Sequence, residues 1–234
     1  MKGPGQLDDL SKIEHQRLYP RLTDPNFLVL RSRRIIFQSW IKTISGNNLT
    51  ILDVGGRYQP YRPLFGNRLG RYIACDLTQT ELVDVIASGE SLPFGSNTFD
   101  VIIATQVFDY FPHPRKAAEE IYDALKPGGV LLMSVASVAP RFADQELWRF
   151  TRGGIRATLS QFRTLEVVPE SSSLGGFFRT TNIWLHSFTR YSFLRKLYEV
   201  TVCPFLNSAG WALEKAGLSR DDQFAPNYSV FAVK

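Results

Sequence analysis

Short apolar runs separated by polar segments mark the first part of the chain. The runs lie at 50–54, 71–76, 82–87 and 99–104. Apolar runs of this length, bounded by turn residues, predict buried strands, and the most continuous of them, 99–104, is expected near the centre of a sheet. Helical spacing predicts two helices among them, one from Asp24 to near Gly46 and one that Pro114 opens and Gly128 ends.

A glycine turn follows the first predicted strand. Asp53 closes that strand, Gly55 and Gly56 follow it, and Asp76 closes the second strand. Glycine lets a backbone approach a ligand closely, and the second acid then lies beside the turn. This is the layout of an adenosyl ligand held across the first two strands of a doubly wound sheet. A dinucleotide fingerprint would need a third glycine where Arg57 begins a different segment, so no pyrophosphate site is predicted.

Several motifs between residues 50 and 135 resemble class I S-adenosylmethionine-dependent methyltransferases, in particular methyltransferase type 11-like domains. Besides the glycine turn, they are the stretch 88–94 that ends in Leu-Pro-Phe, the loop 105–114 and the Leu-Lys-Pro-Gly-Gly turn at 125–129. The resemblance implies a methyltransferase enzyme with S-adenosyl-L-methionine as its cofactor. It also implies an α/β fold, a Rossmann-like doubly wound seven-stranded sheet whose last strand is antiparallel.

The resemblance also implies a set of donor-binding residues. In that family an acid accepts from the adenine amino group, but Ser88 stands at this position and Gly89 follows it. A hydroxyl is a weaker acceptor than a carboxylate, so a weaker adenine contact is expected. The residues expected to bind the cofactor are Asp53, Gly55, Gly56, Asp76, Leu77, Ser88, Gly89, Thr105 and Gln106.

The loop after strand four faces the methyl group in such enzymes and supplies the candidates for a catalytic base. Asp109 and His113 are the expected catalytic residues, although His113 could instead cap the helix that begins at Pro114. Tyr110 is an expected substrate contact. Trp148 and Arg149 are two more, because Trp-Arg-Phe-Thr at 148–151 resembles a branch of the family that modifies glycans and small molecules. No cluster of cysteine and histidine suggests a metal.

Three parts of the chain are predicted. Residues 1–49 form an N-terminal arm, loosely docked over 1–23, and a helix whose Arg31, Arg33 and Arg34 are expected to face solvent. Residues 50–170 and 228–234 form the S-adenosylmethionine-binding domain, with strands at 164–168 and 228–233. Residues 171–227 are a helical insertion, expected to be a mobile helical hairpin behind a Ser-Gly hinge at 171–176 that caps the site. The alternative is an edge decoration packed on the sheet.

Composition and charge restrict the number of domains, the cellular compartment and the kinds of partner to be considered. With 44% hydrophobic and 21% charged residues, the 234-residue chain fits one globular domain, and no apolar run is long enough to span a bilayer. Two cysteines and a start unlike a signal peptide favour a cytoplasmic protein. The net charge is +5, and residues 141–196 alone carry nine Arg or Lys against four Asp or Glu. Either a solvated basic face or an anionic partner would account for this excess.

Three function classes remain open. The first is a methyltransferase that acts on a small molecule or a saccharide hydroxyl, including one on a lipid-linked glycan at the inner face of the membrane. The second is a nucleic-acid methyltransferase, which the basic excess favours and the absence of an Asn-Pro-Pro-Tyr-like loop disfavours. The third is a non-catalytic adenosyl-binding protein, which the departures at Arg57, Ser88 and Tyr110 keep open. We expect the saccharide acceptor, with nucleic acid the less favoured partner.

Overall fold

The computed structural model describes residues 5–189 and 191–234, with side chains from residue 12 onward, and its centre is a seven-stranded sheet. The strand order is β3-β2-β1-β4-β5-β7-β6, and β7 runs antiparallel to both of its neighbours. The other pairings are parallel. The strands are β1 Leu49–Val54, β2 Leu69–Asp76, β3 Val85–Ile86, β4 Phe99–Thr105, β5 Leu125–Ala136, β6 Thr164–Pro169 and β7 Asn227–Val233.

Helices cover both faces of this sheet. Consecutive residues of the central strands point to opposite faces: Leu52 and Ile102 pack under α3 and α4, whereas Ile51 and Ile103 pack under α2. Burial on both faces explains why the strands read as continuous apolar runs. The helices are α1 Gly5–Leu18, α2 Phe27–Thr43, α3 Pro114–Ala124, α4 Arg152–Thr158, α5 Ser173–Phe188, α6 Ser192–Val200 and α7 Val202–Lys215.

The predicted fold class is confirmed, including the antiparallel last strand and the helical insertion before it. The predicted strands lie within a few residues of the observed ones, except that β3 keeps only Val85 and Ile86 of the expected 82–87. The residues before β3 form a turn because the carboxylate of Asp84 accepts from the Ala74 N–H and the side chain of Gln59 donates to the Leu82 carbonyl. These side-chain bonds replace a strand ladder.

The loosely docked N-terminal arm predicted over 1–23 lies partly outside the described residues, and the part that is described packs against the domain. The chain forms helix α1, and Leu18 at its end is buried in the cluster that also holds Phe37 and Trp40. Helix α2 then begins at Phe27 rather than at Asp24, because the Asp24 carboxylate accepts from the Asn26 N–H and forms a turn ahead of the helix.

The predicted hinge at 171–176 is also wrong. Ser172 caps helix α5, its hydroxyl accepting from the Gly175 N–H, and Gly175 and Gly176 lie buried in the first turn. A Cβ on Gly176 would lie 2.0 Å from the carbonyl oxygen of Phe224, so this glycine allows close packing instead of flexibility. The described part of the insertion, which lacks residue 190, has three helices instead of a hairpin, since α5 ends at Phe188 and α6 begins at Ser192.

Helix α5 packs mainly against α7, and both contact α2. Over residues 5–189 and 191–234, no helix is both long enough and apolar enough to cross a membrane.

Candidate active site

The loop after β1 crosses the end of β2 with very little space. The N–H groups of Gly55 and Gly56 both donate to the carbonyl of Cys75, at 2.8 and 3.2 Å. Gly55 has φ +77°, and a Cβ there would lie 3.0 Å from Val107, whereas a Cβ on Gly56 would lie 2.7 Å from the carbonyl oxygen of Asp53. The turn therefore needs both glycines, and it places the first loop beside the loop after β4.

Asp53 lies beneath this turn. It is 2% exposed, and the Tyr72 hydroxyl donates to its Oδ2 at 2.7 Å. Burial is the main cause that raises the pKa of Asp53 to about 7, against the hydrogen bond from Tyr72, which lowers it. Asp53 thus supports the glycine turn from below. A direct contact between Asp53 and the donor stays a prediction.

The end of β2 offers groups that fit an adenosyl ligand. Asp76 is half-buried, and its Oδ1 accepts from the Thr78 N–H at 2.7 Å, while Oδ2 has no hydrogen bond to any residue that the structure describes. A carboxylate with a free oxygen can accept from ribose hydroxyls. Leu77 beside it is 71% exposed, so an apolar side chain is available to cover an adenine face.

The expected adenine position is also compatible with this ligand. Gly89 is buried, and a Cβ there would lie 2.4 Å from the ring of Phe111, so the backbone must approach without a side chain. Ser88 accepts from the Glu90 N–H at 3.2 Å and is only half-buried. The residues present therefore fit S-adenosylmethionine, with Asp76 and Leu77 as the best-placed groups. Contacts from Ser88, Gly89 and Thr105 to the donor stay predictions.

A polar cavity of about 360 Å³ lies beyond the ends of β4 and β5. Gln106 and Asp109 line it from the loop after β4, Ala136 and Asn227 from the ends of β5 and β7. Helices α1 and α2, the insertion and the loop after β5 contribute further lining residues, among them Arg33, Arg179 and Phe142. Gln106 has φ +53°, and its side chain donates to the Ser134 hydroxyl, which fixes the turn that leads to Asp109.

Asp109 is the titratable group of this cavity that best suits proton transfer. It is 3% exposed, and its two carboxylate oxygens lie 3.3 and 3.5 Å from the Ala136 nitrogen, both long for hydrogen bonds. Burial raises the pKa of Asp109 to about 7, although the Ala136 N–H and Arg149 act in the other direction. A carboxyl group that titrates near neutral pH can act as a general base.

His113, the other expected catalytic residue, is not brought to this cavity. Its side chain is exposed and makes no capping hydrogen bond to α3, while its backbone N–H donates to Glu90 at 2.8 Å. Tyr110 does line the cavity, and its hydroxyl donates to Glu146 at 3.2 Å. The structure therefore brings Asp109 and Tyr110 together and leaves His113 apart. Among the described residues, no group of three metal-binding side chains occurs.

Trp148 and Arg149 hold a loop over this region. The Trp148 Nε1–H donates to the Phe111 carbonyl at 2.7 Å. The Arg149 guanidinium donates to the carbonyls of Pro140 and Trp148 and pairs with Glu146. Neither side chain is among those that line the cavity. A direct contact between either residue and a substrate stays a prediction.

Sequence reasoning missed a buried ion pair below the cavity. Arg33 was expected to face solvent, but it is 4% exposed and donates from Nε and Nη2 to the two oxygens of Glu170, each at 2.8 Å. Glu170 is fully buried and also accepts from the hydroxyls of Ser134 and Ser229. The four-residue spacing of Val29, Arg33 and Phe37 could have shown that Arg33 lies on the inner face of α2. Breaking such a pair costs about 3–5 kcal/mol, since one charge stays buried alone.

The match to a family model decides what kind of domain this is. Residues 52–133 match the family described as a methyltransferase domain. Residues 52–133 thus carry a methyltransferase domain. The matched segment holds the glycine turn, Asp76 and Asp109.

Similar proteins agree with this assignment. An uncharacterized methyltransferase of Mycobacterium sp. (strain JLS) is 26% identical over 141 residues, which cover 56% of this chain and 54% of that protein. The chain thus spans about half the length of the curated relatives it matches. A SAM-dependent methyltransferase from Archaeoglobus fulgidus has the same fold, with a TM-score of 0.54 and 12% identity over 86% of this methyltransferase-domain chain and 94% of that one. The [4+2]-cyclase SpnF also shares the fold, with a TM-score of 0.52 and 17% identity over 85% and 80% of the two chains.

Proposed function

We propose that this protein transfers a methyl group from S-adenosylmethionine to a hydroxyl of an acceptor bound in the polar cavity, and that the acceptor is a saccharide. One observation carries the proposal: Asp109, a buried carboxyl group with its pKa near 7, lines a cavity from the same loop after β4 that contacts the glycine turn. Val107 lies against Gly55, and Asp109 follows two residues later. Donor and base are thus held by one loop.

Different residues bind the donor and accept the proton in this proposal. S-adenosylmethionine supplies an activated methyl group on its sulfonium. Asp76 and Leu77 would hold the adenosyl group, and the glycine turn would border the rest of the donor. Asp109 would accept the proton of the acceptor hydroxyl while the oxygen–methyl bond forms and the sulfonium–methyl bond breaks, which would leave S-adenosylhomocysteine as the product. The proton transfer is needed because an alcohol is a poor nucleophile until it loses that proton.

The lining of the cavity supports a saccharide acceptor. Amide and carboxyl groups of Gln106, Asn227, Asn26 and Asp24 can hydrogen-bond to several hydroxyls, and Phe142 can stack on a sugar face. The Trp-Arg-Phe-Thr segment at 148–151 resembles the glycan-modifying branch of the family. We further propose that the protein works at the inner face of a membrane, since the insertion exposes a series of apolar side chains next to basic ones. The most exposed are Phe188, Tyr191, Phe193, Val200, Phe205 and Leu218.

A second function is favoured by one comparison. The fold of this chain is shared by a [4+2]-cyclase, so the architecture alone does not require methyl transfer. A protein that binds an adenosyl ligand without transferring its methyl group is therefore the alternative.

A labelling experiment separates these functions. The protein is incubated with S-adenosylmethionine labelled in its methyl group and with fractionated cell material, and saccharide, lipid, protein and RNA are counted separately. We expect label in saccharide, lost in Asp76→Ala and kept in Asp144→Ala, an exposed surface control. Label only in RNA or protein would contradict the saccharide proposal, and donor binding with no label in any fraction would favour the alternative.

A further inference from the structure

Arg179 is a buried cation with no carboxylate partner among the described residues. It is 4% exposed, and its Nε and Nη2 both donate to the single oxygen Oδ1 of Asn26, at 3.2 and 2.9 Å. Its Nη1 is buried and has no hydrogen-bond partner among the residues that the structure describes. Burial and the nearby charge of Arg33 lower the pKa of Arg179 to about 10, which leaves it charged at neutral pH. A buried guanidinium that is charged and incompletely hydrogen-bonded favours the binding of an anion that pairs with it.

The other charged groups around Arg179 do not supply that anion. Glu170 is engaged by Arg33, and Glu146 is engaged by Arg149. Asp24 lines the same cavity, but its carboxylate accepts from the Asn26 N–H, and burial raises its pKa. No ion pair within 4.0 Å joins Arg179 to any described acid. One edge of its guanidinium is therefore available to a ligand in the cavity.

An apolar groove adjoins the cavity along helix α5. Its volume is about 590 Å³, and Phe142 lines both the groove and the cavity. The Arg179 guanidinium lies over the Phe142 ring, 5.7 Å from its centroid. Farther along the same helix, Ile183 and Trp184 line the groove, and Trp184 remains 57% exposed. One helix thus presents a cation to the cavity and, from the next residues onward, apolar side chains to the groove.

We propose that the acceptor is an anionic amphiphile, with a phosphate or carboxylate group on Nη1 of Arg179 and an apolar chain in the groove lined by Phe142, Ile183 and Trp184. This inference rests on the proposed function, because it names the class of acceptor for the same cavity. A planar guanidinium suits either oxyanion. Because Phe142 lines both the groove and the cavity, one acceptor molecule would place its anionic group in the cavity and its apolar chain in the groove. A saccharide that carries both groups satisfies the cavity, the cation and the groove together.

Binding measurements on simple probes test this inference without any methyl transfer. The wild-type protein, loaded with S-adenosylhomocysteine, is titrated calorimetrically with octyl phosphate, octanoate, octyl glucoside and inorganic phosphate. We expect the tighter of the two anionic octyl probes to bind at least tenfold better than octyl glucoside and inorganic phosphate. The comparison of octyl phosphate with octanoate identifies the oxyanion. Equal affinity for the anionic and the neutral octyl probes would overturn the proposal, independently of any result obtained with variants.

Variants then locate the two parts of the site. Arg179→Gln is expected to weaken the preferred anionic octyl probe about ten- to hundredfold, the range for a lost charge-assisted hydrogen bond, whereas Arg31→Gln is expected to change nothing. Arg31 is a matched control because it stacks over Trp211, away from the cavity. Trp184→Ala is expected to weaken the octyl probe but not inorganic phosphate. Unchanged affinity in folded Arg179→Gln would contradict the role of Arg179. Binding of S-adenosylhomocysteine is titrated separately. If the protein does not bind it, the proposed function is refuted, but the anion site is not.

Discussion

Replacing Asp109 by asparagine is expected to lower kcat about 10²–10⁴-fold, the range for loss of a general base, at unchanged affinity for the donor. The reason is that Asp109 is the buried carboxyl group of the cavity and has a pKa of about 7. In the wild type, kcat should rise with pH and level off above about 7, and the variant should lose this rise. Initial rates over pH 5–9 measure both effects once an acceptor is in hand.

The same substitution should change stability with the opposite sign. The pKa of Asp109 is raised in the folded protein relative to about 3.9 in an unfolded chain, so ionisation is easier when the protein unfolds. Below pH 4 the Asp109 carboxyl is protonated in both the folded and the unfolded protein, so its ionisation does not affect stability. As pH rises from about 4 to about 7, the unfolded state loses this proton before the folded state does, so stability falls. Above about 7 the group is ionised in both states and the loss of stability stays constant. Asp109→Asn should therefore melt at a higher temperature than wild type at pH 8 and at nearly the same temperature at pH 4.

Asp144→Asn is the matched control for both measurements, because this carboxylate is exposed and lies outside the cavity. A turnover loss below threefold in Asp109→Asn would place the base elsewhere. A lower melting temperature of Asp109→Asn at pH 8 would show that the carboxylate is stabilised by its surroundings, contrary to the burial seen here.

Replacing Asp76 by alanine is expected to weaken donor binding by about 1.5–3 kcal/mol, which is roughly ten- to 150-fold in Kd, the range for hydrogen bonds to a charged group. The fold should survive, because the Asp76 side chain makes a single described hydrogen bond, to the Thr78 N–H. Calorimetric titration with S-adenosylhomocysteine measures the change. Asp144→Ala should bind like wild type. If Asp76→Ala also binds like wild type, the adenosyl group is held elsewhere.

The sheet and the glycine turn could be predicted because their signals are local. The strand that ends at Asp53, the glycine turn and the acid at Asp76 follow one another in sequence, and each has a direct physical meaning. Buried strands must be apolar on both faces, and a turn in which a Cβ would lie 2.7 Å from a carbonyl oxygen must lack that Cβ. A few adjacent residues are therefore enough to predict each of these features.

The polar cavity could not be predicted in this way, because it is assembled from distant segments. Arg33 and Glu170 are 137 residues apart, and Arg179 and Asn26 are 153 apart. In sequence, Arg33 is one of several arginines on a helix, and Gly175-Gly176 after three serines is typical of a flexible linker. Only the packing of α5 against the 224–226 segment shows that these glycines are needed for close contact. His113 illustrates the converse, since its place in the family loop does not bring it to the cavity.

A crystal structure of the protein with S-adenosylhomocysteine tests the central claim most directly. We predict the ribose hydroxyls within about 2.6–3.0 Å of the Asp76 carboxylate, the adenine against Leu77, and the sulfur directed toward the cavity that Asp109 lines. Density for the ligand at another place, or with its sulfur turned away from Asp109, would contradict the account.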